Sequence, residues 1–283
     1  MKKFVKLGFA MVIAMAFVFM GCKHSTSEAA PILVEGITGS NVFIEGRTVE
    51  IIPTLWMCDH EVTQAEYEDI METNPSSFKN NPAEGEAQEN RPVEWVSWYD
   101  CLVYCNKRSI KEGLTPCYTI SGKTDPAEWG DVPTTSDDTW NAVTCNFEAN
   151  GYRLPTEAEW EYFARGGNTT NEGQTDYSGS DTIGDVAWYR DNSGYKTHEV
   201  KKKAPNAKDM YDMSGNVWEW CWDWYGTIRS DTPSSGTLFG PGRVRRGGCF
   251  FDAEYSCSVR YRSQNRPFES SDQMGFRLVR STN

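Results

Sequence analysis

Three stretches of the chain carry the apolar spacing and the start signals of amphipathic helices. The first, "TQAEYEDIMETN", opens with Thr63 and places Glu66 three residues later, which is the spacing of a capping box. The last, "RLPTEAEWEYFARGG", repeats that spacing with Thr156 and Glu159. Between them, "SWYDCLVYCNKRSIKEG" covers 97–113 with a helical period. The pattern therefore predicts three helices.

A different period appears in "GNVWEWCWDWYG", where four tryptophans alternate with smaller or acidic residues. Period two is typical of a strand that presents one aromatic face. Pro, Asn, Asp, Ser and Gly crowd residues 72–92, 121–146 and 167–185, which indicates long ordered loops. Since neither a fixed repeat nor a linker divides the chain, we predict a single α+β domain with short, irregular strands.

The N-terminus has the pattern of an export signal. "MKKFVKLGFAMVIAMAFVFMGC" has a basic start and an apolar run too short for a comfortable bilayer crossing, and its end resembles a bacterial lipobox. We predict a lipoprotein signal peptide over 1–21, with Cys22 lipidated at the start of a polar tether (22–30). An ordinary secretory peptide is the alternative. Residues 31–283 then form the folded domain.

Charge limits the possible partners. The chain carries a formal net charge of −12, and the signal region contributes three Lys and no acid, so the mature protein is more acidic still. Phosphate binding needs clustered Lys and Arg, so nucleic acid is not an expected partner. No later stretch is apolar enough to span a bilayer, and we expect membrane contact only through the lipid anchor.

Cysteine usage favours packing. Export permits disulfides, but a domain of this size does not need them and the spacings lack the rhythm of a small disulfide scaffold. Cys101 and Cys105 fall on one helical face, as packing residues do. We predict that most of the eight later cysteines are buried free thiols; they are Cys58, Cys101, Cys105, Cys117, Cys145, Cys221, Cys249 and Cys257.

Six motifs follow one another between residues 57 and 280. They are "MCDHEVTQAEY" (57–67), "PVEWVSWYDCLVYCN" (92–106), "GLTPCYTI" (113–120), "GYRLPTEAEWEYFARGG" (151–167), "YDMSGNVWEWCWDWY" (211–225) and "RRGG" with "GFRLVR" (245–280). In this order they resemble the formylglycine-generating enzyme, or sulfatase-modifying factor, family. The resemblance implies a C-type-lectin-like fold with little regular secondary structure.

The catalytic thiols of that family are not reproduced. Its enzymes oxidise a sulfatase cysteine with a copper-binding pair of cysteines after "RGG". Here the first of those positions falls on Asp252, and the nearby Cys249 and Cys257 have a different spacing. His60 and His198 stand apart, and no metalloprotease or phosphate-loop motif accompanies them. We therefore expect no enzyme and no catalytic cofactor; the alternative is a copper-dependent formylglycine-generating oxidase, or an accessory of sulfatase maturation.

A second branch with this fold fits the C-terminal segment better. Along the C-terminal segment, structural-looking residues punctuate the sequence at fixed-looking points: "RGG", Cys257, Val259, Arg262, Pro267 and "GFRLVR". Together with the lipobox and the family scaffold, this segment resembles the variable proteins of diversity-generating retroelements, which include spirochaete surface lipoproteins. The resemblance implies a variable region over 245–280 and a lipid anchor in the bacterial outer membrane at the cell surface. It also implies an unknown protein or glycan ligand on another cell or host surface. We expect the protein to act as a monomer.

The candidate variable residues combine stiff aromatic groups and forked guanidinium donors with small polar groups, the types that suit recognition. Rewriting the adenines of Asn codons cannot produce Gln, Glu, Lys, Met or Trp, which removes Glu254 and Gln264 from the set. Cys249 is expected at the surface, and Cys257 in the core. The set is Arg245, Cys249, Phe251, Asp252, Ser256, Ser258, Arg260, Tyr261, Ser263, Arg266 and Phe268.

"YDMSGNVWEW" resembles a calcium site of the family. By position, the ligands implied are the Asp212 side chain, the backbone carbonyls of Gly215 and Val217, and the Glu219 carboxylate. Hard oxygen ligands from a tight turn suit calcium. The alternative is that the two acidic side chains only cap the turn. A structural calcium ion is therefore an expected cofactor.

Overall fold

The computed structural model describes residues 31–42, 48–237 and 239–282. The predicted signal peptide (1–21) and tether (22–30), with Cys22, lie outside these ranges, so both stay predictions. Within the described ranges, no helix is long and apolar enough to cross a membrane.

The helices are short and begin at strong caps. They are α1 (Gln64–Met71), α2 (Trp98–Lys111), α3 (Asp138–Asn141), α4 (Glu157–Ala164) and α5 (Ile183–Val186), with single 3₁₀ turns at Gln88–Asn90, Pro126–Glu128 and Glu254–Cys257. The three predicted helices are confirmed as α1, α2 and α4. Thr63 with Glu66, and Thr156 with Glu159, form the expected capping boxes. Each box satisfies N–H groups that the first helical turn leaves unpaired.

The strands are also short. They are β1 (Pro31–Val34), β2 (Ile37–Val42), β3 (Thr48–Ile52), β4 (Leu55–Cys58), β5 (Tyr118–Thr119), β6 (Thr144–Cys145), β7 (Tyr152–Arg153), β8 (Trp218–Trp224), β9 (Arg243–Arg246), β10 (Ser263–Asn265), β11 (Met274–Gly275) and β12 (Val279–Ser281). Helices and strands are mixed along the chain, which confirms the α+β prediction.

Two four-stranded sheets organise the domain. The first has the order β1-β4-β12-β7, so β12 near the C-terminus lies between β4 and β7, and Val279 pairs with both Met57 and Arg153. The second has the order β10-β9-β8-β11, with β11 parallel to β8. The candidate variable region thus supplies β10, β11 and most of β12 and is part of the sheet framework.

The tryptophan-rich strand β8 is confirmed, and it is buried on both faces. Trp218 and Trp220 pack in the core cluster built on α2, and the Trp220 indole donates to the carbonyl of Val96 at 3.0 Å. On the opposite face Glu219 and Cys221 are fully buried. An aromatic face was predicted; the buried acidic face was not, because its ion-pair partner lies far along the chain.

The described cysteines are free thiols, and all except the half-buried Cys145 are buried. Burial raises the pKa of Cys58 to about 12 and raises the pKa of Cys101 and Cys105 well above the usual thiol value. These groups are therefore protonated at neutral pH and behave as small apolar side chains. The prediction that most cysteines are buried thiols is confirmed.

Candidate ligand-binding surface

The candidate segment starts at a glycine turn that directs the chain out of β9. Gly247 and Gly248 have φ values of 94° and 74°, a region that other residues rarely adopt. A Cβ on Gly248 would lie 2.8 Å from the Cys257 sulfur. "RGG" is therefore required by backbone geometry and close packing at this turn.

Two buried arginines tie the segment to α4. Arg262 makes a bidentate ion pair with Glu157, with bonds of 2.5 and 2.7 Å. Arg246, at the end of β9, lies 3.3 Å from the same Glu157 carboxylate and donates to Glu161 at 3.1 Å. All four side chains are nearly or fully removed from solvent. Breaking a buried pair of this kind costs about 3–5 kcal/mol, so these residues fix the segment in place.

Backbone hydrogen bonds fix three further points of the segment. The Pro267 carbonyl accepts from the N–H groups of Trp98 (3.0 Å) and Tyr99 (3.4 Å) at the start of α2. The N–H of Phe250 donates to a framework carbonyl at 2.8 Å, and that of Val259 does so at 2.9 Å. Such bonds hold for almost any side chain, so the path of the segment depends little on the residues between these points.

Most of the predicted variable residues reach solvent. Phe251 is 50% exposed, and Arg260 and Arg266 are also exposed. The half-buried members are Arg245, Asp252, Ser258, Tyr261, Ser263 and Phe268, and the buried members are Cys249 and Ser256. Cys257, Val259 and Pro267, predicted as structural punctuation, are buried. Solvent-exposed and buried positions are therefore interleaved along the segment.

The surface position predicted for Cys249 is wrong. Its side chain is fully buried, and its backbone N–H and thiol both point at the Asp252 carboxylate, at 3.1 and 3.0 Å. Ser256 is also buried, at 3% exposure, because it lies in the 3₁₀ turn that packs under the glycine turn. Both residues are therefore poor candidates for direct contact with a ligand.

Aromatic residues outside the predicted set extend the surface. Tyr195 is 58% exposed and its ring lies 5.7 Å from that of Phe251, while Tyr255 is 63% exposed and lies 5.6 Å from Tyr261. Tyr195 and the exposed Trp95 both have positive φ, at 60° and 63°. Strained backbone beneath an exposed aromatic side chain is more typical of a binding site than of packing.

Arg245 and Tyr261 form a half-buried floor beneath these aromatic groups. The Arg245 guanidinium lies 4.4 Å from the Trp218 ring centroid and donates to the Ser263 hydroxyl at 3.2 Å. Tyr261 packs on the same Trp218, with 6.0 Å between the rings. The floor thus joins predicted variable residues to a tryptophan of β8.

The predicted calcium turn brings together three buried carboxylates. Both oxygens of Glu219 accept from Arg277 at 2.6 Å, and the Trp160 indole donates to one of them at 2.7 Å. Glu61, which sequence reasoning missed, accepts from the side chain of Asn216 at 2.7 Å and from the next N–H at 3.0 Å. Glu61 bonds to residues that lie far from it in the chain, so no local sequence pattern predicts its part in the cluster.

Asp212 is the member of this cluster with an unused oxygen. Its Oδ2 accepts from the N–H of Lys201 at 2.8 Å, whereas Oδ1 is buried and has no hydrogen-bond partner. Burial raises the pKa of Asp212 to about 6, and burial with the neighbouring carboxylates raises that of Glu61 well above its usual value. Three buried carboxyl groups close to a single guanidinium, that of Arg277, therefore resist full ionisation.

These residues fit a calcium ion in part. Asp212 Oδ1 is available, while the Glu219 carboxylate is already engaged by Arg277. Among the described residues, no group of three or more His, Cys, Asp or Glu side chains is arranged to hold a metal ion. An ion at this turn would therefore depend on the predicted backbone carbonyls of Gly215 and Val217 as well as on Asp212.

Comparison with known proteins assigns the family. A model of the sulfatase-modifying factor enzyme 1-like domain matches residues 26–282. The chain belongs to this family. It is 39% identical over 240 residues to "Chaperone protein LppX" of Paenibacillus barcinonensis, with 78% of each chain covered. It is 36% identical over 161 residues to the formylglycine-generating enzyme of Streptomyces coelicolor, with 50% of each chain covered.

Solved structures confirm the predicted fold. Treponema denticola variable protein 1 is similar, with a TM-score of 0.79 and 37% identity, covering 87% of this chain and 94% of that one. The structure of CarF is also similar, with a TM-score of 0.66 and 26% identity, covering 90% and 99%. The predicted formylglycine-generating-enzyme type of C-type-lectin-like fold, and the likeness to a variable protein, are both confirmed.

The thiols near the expected catalytic positions are poorly suited to redox chemistry. Cys249 and Cys257 are both fully buried. Burial raises the pKa of each thiol far above its usual value, and the neighbouring Asp252 carboxylate adds to the effect. Since the thiolate is the form that attacks a disulfide or binds a metal, neither cysteine is activated in this structure.

Proposed function

We propose that this chain is a lipid-anchored bacterial surface binding protein whose C-terminal segment, 245–280, is diversified by a retroelement to recognise different ligands. One observation carries the proposal: buried anchors and exposed side chains alternate along the segment. Arg246, Arg262 and the Pro267 carbonyl attach it to the framework. Phe251 and Arg260 reach solvent between these attachments. A fold held in this way tolerates new exposed residues without losing its backbone path.

The chemistry of the exposed residues supports a binding role. Phe251, Tyr195 and Tyr255 offer stiff, largely solvent-exposed rings, and Arg260 and Arg266 offer forked donors. Aromatic and arginine side chains supply most of the energy at protein-binding hot spots. The likeness to Treponema denticola variable protein 1 over most of both chains points the same way.

The oxidase alternative receives less support. Formylglycine-generating enzymes match only about half of this chain, and the thiols that would have to serve, Cys249 and Cys257, are buried and protonated.

The structural calcium ion stays a proposal that rests on Asp212 Oδ1 and on the excess of buried carboxylates. The partner is proposed to be a protein or glycan on another cell or host surface, with attachment to the outer membrane through Cys22.

A library selection tests the binding surface. Phe251, Arg260, Tyr261, Arg266 and Phe268 are randomised together in the full chain, and binders to hen egg lysozyme, an arbitrary protein probe, are selected. We expect folded binders from this library. A matched library randomised at buried Cys257 and Val259 is expected to yield unfolded protein and no binders.

Two results would contradict the proposal. The library randomised at the five segment positions could fail to fold, or it could fold and give no binder while an antibody library of equal size does. The retroelement has its own test, which is a near-copy of the DNA for residues 245–280 beside a reverse transcriptase gene. Without that copy, diversification is wrong even if the surface binds.

A further inference from the structure

A pocket of about 250 Å³ lies where the candidate segment meets the framework. One side of its lining comes from the segment, with Arg266 and Phe268. The other side comes from residues outside it, among them Trp224 at the end of β8, Asn141 at the end of α3, and Ser136 in the preceding loop. The pocket therefore combines an aromatic ring, an amide, a hydroxyl and a guanidinium around a volume that fits a ligand with one small ring.

Trp224 is held rigidly. The Arg243 guanidinium lies 3.8 Å from the Trp224 ring and 3.7 Å from the Trp98 ring, so it is stacked between two indoles. Arg243 is buried and donates to the carbonyl of Trp222 at 2.7 Å. Cation–π stacking is strongest on a desolvated guanidinium, and it fixes the ring before any ligand arrives.

Asn141 is oriented in the same manner. Its Oδ1 accepts from the hydroxyl of the buried Tyr99 at 2.7 Å, so its amide nitrogen is the donor directed away from that bond. The nitrogen donates to the Ser136 hydroxyl at 3.3 Å. An amide has two N–H donors, so a second one is left for a ligand, and the serine hydroxyl has a proton of its own to donate.

Arg266 supplies the charge. It is exposed, and its backbone N–H donates to the Glu269 carboxylate at 3.0 Å. Within the part of the chain that the structure describes, its guanidinium has no ion-pair partner. A free guanidinium beside an apolar wall favours a planar anion, because its forked donors match the two oxygens of a carboxylate.

We infer that this pocket binds an acidic monosaccharide unit, a pyranose that carries a carboxylate. The apolar face of the ring would lie against Trp224 and Phe268, its hydroxyls would bond to Asn141 and Ser136, and the carboxylate would pair with Arg266. An extended peptide fits less well, since Trp224 is the one lining residue that belongs to a strand, and that strand, β8, already lies between β9 and β11 in its sheet. The inference rests on the proposed function only in taking the C-terminal face as a binding face.

Calorimetric titration of the full chain with two matched glycosides tests the inference. Methyl β-glucuronide and methyl β-glucoside differ in the carboxylate, and we expect the glucuronide to bind at least about tenfold more tightly, since hydrogen bonds to a charged group are stronger than those to a neutral one. Arg266→Gln should raise the Kd for glucuronide about tenfold and remove the preference. Arg229→Gln, a matched change at an exposed arginine outside the segment, should leave both Kd values unchanged. A shift of the Trp224 indole NMR signal on titration would place the sugar in the pocket.

Several outcomes would overturn the inference. They are no saturable binding of either glycoside, equal binding of both, or insensitivity of the glucuronide Kd to Arg266→Gln. Tighter binding of an acidic peptide than of glucuronide, with the same Trp224 signal shifted, would replace the sugar by a peptide. Folded lysozyme binders from the library described above, together with any of these results, would leave the binding surface intact and reject only the sugar.

Discussion

Asp212→Asn is the substitution that most directly probes the buried carboxylates. Asp212 is 2% exposed, lies in the left-handed region at φ 56°, and keeps one oxygen without a hydrogen-bond partner. Asn tolerates that backbone conformation and can still accept from the Lys201 N–H. The substitution therefore removes a charge and changes little else.

The size of the effect follows from the pKa of Asp212. Burial raises it from 3.8 to about 6. A carboxyl whose pKa is higher in the folded state stabilises the fold below its unfolded value and loses that contribution as pH rises through the folded value. The difference corresponds to about 3 kcal/mol. We expect the Asn variant to match wild type near pH 3.5 and to be more stable by about 3 kcal/mol above pH 7, in chelator.

Urea unfolding between pH 3.5 and 8 measures the difference. Asp209→Asn is the matched control, since Asp209 has the same φ of 56° but is exposed, and it should shift the curve little at any pH. If calcium binds here, calcium at a hundredfold excess over its Kd should raise the free energy of unfolding of wild type by about 2.7 kcal/mol. The same calcium concentration should leave the stability of Asp212→Asn unchanged. An Asn variant that is less stable than wild type at pH 8 in chelator would refute the reasoning.

Three further predictions test the exposed residues of the segment, the buried core and the lipid anchor in turn. Replacing Phe251, Arg260 and Arg266 together by Ser should lower the free energy of unfolding by no more than about 1.5 kcal/mol, since exposed changes cost about 0.5 kcal/mol each; a larger loss in chemical denaturation would make them structural. Trp220→Ala should cost about 3–5 kcal/mol in the same measurement, because Trp220 is fully buried, and a loss below 1 kcal/mol would contradict its core position. Cys22→Ser should abolish fatty-acid labelling and release the protein; labelling equal to wild type would rule out the anchor.

Elements that depend on contacts between residues close in sequence could be predicted from the sequence. The capping boxes at Thr63 and Thr156 involve residues three positions apart, so their helices could be predicted from the sequence. β8 followed from the alternation of its tryptophans. The burial of Cys257 and Val259 agrees with their prediction as structural residues of the segment.

Features that depend on contacts between residues far apart in the chain could not be predicted from the sequence. Cys249 was expected at the surface because no pattern shows that the glycine turn points its thiol inward at Asp252. Arg262 and Glu157 are 105 positions apart, so their ion pair has no local signature. The sugar pocket draws Asn141 and Trp224 from separate elements, and only the folded chain brings them together.

The attachment of Pro267 to α2 has a consequence for the length of the segment. Its carbonyl occupies the first N–H groups of the helix, and the N–H groups of Phe250 and Val259 are equally committed to framework carbonyls. Substitutions between these points leave all three bonds in place, whereas an inserted or deleted residue would move at least one partner by about 3.3–3.8 Å, the span of a residue. The proposed diversification should therefore change the exposed residues between 250 and 267 and leave the number of residues there constant.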